Sequence, residues 1–166
     1  MPGSLDLMKP TLIAALLCVA GLVMSCAPAP LSESEATKKR FLETKAKAEQ
    51  GDPQAQTLLG SSYFHGFADG VQDYTEALKW YGKAAEQNHA EAQVLLSACY
   101  FRGWGVEKNF AESYAWVSQA TNRSKDVARF LSSLETEMSP QQLAAGKKRS
   151  EELRAQIEAR LKSGGK

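Results

Sequence analysis

The feature that most limits how this chain can fold is a pattern of small, aromatic and glycine positions in residues 55–85 that returns once, directly downstream. Ala55, Leu59, Tyr63 and Gly66 recur at Ala92, Leu96, Tyr100 and Gly103, each 37 residues on. Past an intervening loop, Asp73, Tyr74, Trp80 and Ala84 recur at Asn109, Phe110, Trp116 and Ala120, each 36 residues on. The slip of one residue falls in a glycine-containing loop, where a change of length costs little. A period of this size marks a supersecondary unit that buries its apolar face only by stacking on its neighbours. The rest of the chain must therefore cap, tether or extend the pair.

Each unit reads as two helices. Asp52-Pro53 starts the first, because Asp accepts a free amide at the cap and Pro has no amide to lose. The spacing predicts a helix to about Phe64, stopped at Gly66. Ala55, Leu59 and Tyr63 lie four apart and so share one face. Gly60 beside them costs about 1 kcal/mol against Ala, which predicts close approach of another backbone. The second helix opens at Asp73 with Glu76 as a capping box, and Ala77, Trp80, Tyr81 and Ala84 give it a broad apolar face. The second unit repeats this with a turn at Gly103 and Gly105, then an Asn109-x-x-Glu112 cap. Cys99 stands where the first unit has Ser62, which predicts a small, packed, inert position.

The ends differ. Leu12 to Met24 is an uncharged run of 13 residues, short of the roughly 20 that span a bilayer, and it reads as the core of a signal peptide. A start at Met8 gives that signal a conventional Met8-Lys9-Pro10 opening, so residues 1–7 are expected to be an over-long start. Residues 26–34 are a Pro/Ala/Ser-rich tether. Ser32-x-x-Glu35 then opens a capping helix over 35–50 with a narrow stripe of Phe41, Leu42, Ala46 and Ala48. After the repeats at 51–88 and 89–123, residues 124–166 read as two further capping helices. The first turns Val127, Phe130, Leu131 and Leu134 inward. The second starts at Ser139-Pro140 with Gln142 closing the box, and carries Leu153, Ile157 and Leu161.

Two stretches resemble known families. The pattern of Ala55, Leu59, Gly60, Tyr63 and Gly66, then Gly70, Val71, Asp73 and Tyr74, then Ala77, Trp80, Tyr81, Lys83, Ala84 and Ala85 resembles the Sel1-like repeat, a helical-hairpin relative of the tetratricopeptide repeat. The second copy departs at Ser97, Ser113 and Thr121. The resemblance implies an all-α fold, a short α-solenoid of antiparallel helical hairpins with capping helices at both ends. Val23-Met24-Ser25-Cys26 resembles the lipobox of bacterial lipoproteins. It implies cleavage before Cys26, lipid on its sulfur, and a place at the cell envelope. Ala27 lacks the aspartate of an inner-membrane retention signal, which favours the periplasmic face of the outer membrane.

A net charge of +1 gives no electrostatic case for nucleic acid. The two histidines, His65 and His89, have no ligand spacing around them, and with Cys18 lost and Cys26 lipidated Cys99 has no partner. Neither enzyme, metal site nor cofactor is expected, and both histidines are expected to face solvent or main-chain carbonyls. The expected role is a scaffold that binds another envelope protein or a cell-wall component. The alternatives are an envelope hydrolase or transferase, or an immunity-type inhibitor of one partner. In tetratricopeptide hairpins the inner surface comes from the first helix of each pair. Carried across, that resemblance implies a surface of Gln54, Thr57, Ser61, Phe64 and His65 with Glu91, Val94, Ala98, Phe101 and Arg102. Phe64 and Phe101 are either contact anchors there or packed on the next hairpin.

Overall fold

The computed structural model describes residues 33–67, 70–120 and 124–164. The expected leader, Cys26 and the tether up to Ser32 lie outside them, whereas Glu33 and Ser34, expected in the tether, already belong to the first helix. Among the described residues there are seven helices and no strand: α1 Glu33–Glu49, α2 Pro53–His65, α3 Tyr74–Ala85, α4 Ala90–Arg102, α5 Phe110–Gln119, α6 Lys125–Glu137 and α7 Pro140–Lys162. The all-α solenoid is therefore the observed architecture. Each of α1 to α5 packs on the next, and α7 lies against α5. None of the described helices is long and apolar enough to cross a membrane.

The caps act largely as their residues dictate. Asp52 accepts from the Ala55 amide at 2.8 Å, and Gly66 ends α2 in the left-handed region at φ 72°. Asp73 and Asn109 accept from the amides of Glu76 and Glu112 at 2.8 and 3.1 Å. Neither glutamate completes the expected box. Glu76 reaches Lys79 at 2.9 Å and Glu112 reaches Arg149 of α7 at 2.8 Å, so cationic partners outcompete the cap amide. At Ser139 and Gln142 both reciprocal bonds form.

The core repeats with the sequence. Trp80 is buried with Ala48, Ala55 and Leu59. Trp116 is buried with Ala85, Ala92 and Leu96, the same set one unit on, the tryptophan 36 and the other three 37 residues along. Gln56 donates to the Ala48 carbonyl at 3.1 Å, and Gln93 donates to the Ala85 carbonyl at 3.3 Å. Gly51 and Asn88 both take positive φ. The phase thus reaches back into α1, which holds the place of the second helix of a preceding unit. It is more than a covering helix.

At the other end, Phe110 lies near Gln142, Tyr114 against Gly146, and Gln119 on Ser150. Positions rise together along both helices, so α7 runs parallel to α5. It passes unbroken through Gly146, where a Cβ would lie 3.0 Å from the Tyr114 ring. Leu153 and Ile157 are buried as expected, whereas Leu161 is exposed. The α6 stripe closes a second core of Leu134 and Met138 on Tyr114 and Val117, with Val127, Phe130 and Leu131 at its edge.

Candidate interaction surface between α2 and α4

The ring of Tyr81, fully buried, occupies the space that Gly60 leaves open; a Cβ there would lie 2.7 Å from it. Its hydroxyl meets Ser61 Oγ at 3.2 Å. Above this floor is a pocket of about 240 Å³, walled by Ser61, Phe64 and His65 of α2 and by Leu95, Ala98 and Cys99 of α4, with Trp104 at its end. A cavity of about 150 Å³ already takes up a benzene ring. This one has room for a single aromatic or aliphatic side chain.

The structure brings together four of the ten residues expected on this surface: Ser61, Phe64, His65 and Ala98. The others fall elsewhere. Thr57 is buried, a correction to its expected exposure: its hydroxyl donates to the Pro53 carbonyl at 2.8 Å and lies 3.0 Å from His89 Nδ1. Gln54 is exposed, with its side-chain oxygen 3.0 Å from His89 Nε2. His89 is therefore half-buried and bonded to two side chains instead of main-chain carbonyls. It occupies the cap position of α4 without capping it, and binds the second unit to α2 instead. Glu91 and Arg102 are exposed and Val94 is half-buried.

Neither Phe64 nor Phe101 stands free. Phe64 meets Tyr74 and Trp104 edge-on, each at 4.9 Å between centroids. Phe101 meets Phe110 and Phe130 at 5.7 Å. Both pack on elements further along the array, because an aromatic ring gains more from a neighbouring ring than from water. Two residues of the surface were not singled out from the sequence. Trp104, set between Gly103 and Gly105, closes the pocket. Phe67, 65% exposed, lies against His65 at its rim, at 5.4 Å between centroids.

The surface holds no reactive constellation among the described residues. Burial pushes the Cys99 thiol up to about 11, so it stays protonated at neutral pH. No group of three or more His, Cys, Asp or Glu is placed to hold a metal among the described residues.

No curated protein matches the chain in sequence. A protective antigen of uropathogenic Escherichia coli with a Sel1-like-repeat fold is similar in structure, with a TM-score of 0.67 and 28% identity over 79% of this chain. A Sel1 repeat protein from Oxalobacter formigenes is similar with a TM-score of 0.52 and 34% identity over 57% of this chain. The chain spans 29% of the first and 39% of the second. The Sel1 repeat family matches at residues 53–89 and 90–124, so the chain carries two Sel1 repeats, flanked by α1 on one side and by α6 and α7 on the other.

Proposed function

We propose that this chain is a lipid-anchored envelope scaffold that holds a protein partner by seating one of its apolar side chains between α2 and α4. Sel1 repeat proteins are helical-repeat scaffolds, which supports the class of activity. The observation that carries the reading is the pocket over Tyr81, apolar in its walls and bordered by the exposed Phe67. Such a surface suits an apolar protein side chain. A cell-wall glycan needs a polar lining to satisfy its hydroxyls. Cys26 supplies the anchor, at about 0.8 kcal/mol per buried methylene of its acyl chains, and holds the scaffold at the periplasmic face of the outer membrane.

The test is capture from detergent-solubilised membranes with the wild type beside Ala98→Leu, which fills the pocket from a half-buried position without removing a contact. The partner is expected to be lost from the variant while its helical signal and melting are kept. An unchanged partner list from the folded variant would refute the pocket. Growth with a radiolabelled fatty acid is expected to label the wild type and not Cys26→Ser, and an unlabelled wild type rules out the anchor.

A further inference from the structure

The repeat phase that reaches into α1 defines a second surface, apart from the pocket. Four residues beyond α2 hold it in place. The Ala77 carbonyl and the Tyr81 ring lie under Gly60, His89 binds Gln54 and Thr57, and Leu95 shares the pocket wall with Phe64. Thirty-seven residues earlier stand Arg40, Thr44, Asp52 and Leu58, and these four line one groove of about 270 Å³ between α1 and α2. That groove is the place where, one unit on, α2 itself lies. Among the described residues nothing fills it.

Its chemistry differs from that of the filled site. The buried Ala77 and Ala84 correspond to Arg40 and Lys47, both exposed. Leu58, in place of Leu95, is 49% exposed. The acidic groups are committed: Glu43 pairs with Lys39 at 3.9 Å and Asp52 accepts from the Ala55 amide at 2.8 Å. Arg40 and Lys47 have no ion-pair partner among the described residues, and two turns apart they share one face of α1. Both walls carry polar groups, Arg40, Glu43 and Lys47 on one and Asp52 and Gln54 on the other, but an array end that only needed solvation would not also set a half-exposed leucine among them.

We propose that this groove is a docking slot for one helix of a partner protein, which sets an apolar residue on Leu58 and carboxylates opposite Arg40 and Lys47. The helix takes the position that α2 holds against α3 and α4, so the partner extends the solenoid by one element. Helix-in-groove recognition reads anchors at such helical spacings. Complementary charge fixes which helix enters.

The probe is a fluorescent alanine-based helix of about 16 residues, carrying one Leu between two Glu set two turns apart, and the same helix with Lys for Glu. Full-length protein in detergent is expected to bind the Glu helix saturably in low salt. Arg40→Glu with Lys47→Glu is expected to weaken that binding at least tenfold and to favour the Lys helix. Ala98→Leu leaves it unchanged, which separates the slot from the pocket. Equal binding of both helices, no saturable binding, or indifference to the charge reversal overturns the proposal. So does a concentration-dependent dimer that the double variant dissolves, since a second copy then owns the slot.

Discussion

Ser97 donates its hydroxyl to the main-chain carbonyl of Ser113 at 2.8 Å, at the site where the first repeat sets Gly60 beside the Ala77 carbonyl. Both serines are fully buried, and their hydroxyl oxygens lie 2.9 Å apart. Because Ser97 spends its one proton on the carbonyl, Ser113 donates to Ser97. The two departures from the repeat pattern are thus one coupled change. Ser97→Ala leaves the Ser113 hydroxyl without its acceptor and is expected to cost about 1–2 kcal/mol in urea unfolding. Ser97→Ala with Ser113→Ala should cost less than the two single changes summed. Additive losses would show that the pair is not coupled.

Gly60 and Gly82 both lie inside helices, yet Ala is expected to act oppositely at the two. At Gly60 a Cβ meets the Tyr81 ring at 2.7 Å, and that ring is buried and tied to Ser61, so it has nowhere to move. Gly60→Ala should destabilise by about 1–3 kcal/mol through overpacking, despite the better helix propensity. At Gly82 a Cβ meets nothing within 4 Å. There propensity acts alone, and Gly82→Ala should stabilise by about 0.5–1 kcal/mol. Thermal melts of the two variants side by side decide it, and a shift of the same sign in both refutes the close-approach account of Gly60.

Much of this arrangement is written locally and some is not. The caps at Asp52, Asp73, Asn109 and Ser139, and the stop at Gly66, depend on atoms within four residues, and they form where the sequence places them. The double role of α1 was also legible, since Ala48-Glu49-Gln50 returns as Ala85-Glu86-Gln87, but that echo lies outside the aromatic motif. The environment of Phe64 was not. Helical spacing assigns a face and leaves open what covers it, and Trp104 arrives from the turn of the next unit. His89 is similar: Thr57 and Gln54, its partners, are 32 and 35 residues away. The missing halves of the boxes at Glu76 and Glu112 reflect competition, as a cation within reach binds a carboxylate more strongly than an amide does.

Two arginines of α7 reach back to the repeats with unequal expected effect. Arg149 Nε binds Glu112 at 2.8 Å with both side chains mostly covered, 33% and 24% exposed. Arg160 binds Glu86 at 2.6 Å with 44% and 51% exposed. Solvent screens the second pair more fully, and its long side chains give up more freedom. Arg149→Ala should therefore lower stability by about 1–2 kcal/mol, and Arg160→Ala by less than about 0.5 kcal/mol. Raising the salt should hold the gap or widen it slightly, because the covered pair is screened less than the exposed one. Equal losses in urea unfolding would place α7 on the repeats through its apolar contacts alone.

Cys99 links the buried wall of the pocket to pH. Burial pushes its thiol from 9.0 up to about 11, so the folded chain holds this proton more tightly than the unfolded chain. The resulting stability is fully present below pH 9 and is lost as pH rises towards 11, by about 2–3 kcal/mol in all. Tyr81, Tyr100 and Tyr114 are raised above 10.0, also by burial first, and add to the loss at the alkaline end. Urea unfolding between pH 9 and 11 should thus fall more steeply for the wild type than for Cys99→Ala, which keeps only the tyrosine share. At pH 8 the native thiol should resist a disulfide reagent until urea unfolds the chain, since thiolate is the reacting form. Parallel alkaline curves for the two proteins, or prompt labelling of the native chain, would mean that Cys99 is open to solvent and that the pocket wall breathes.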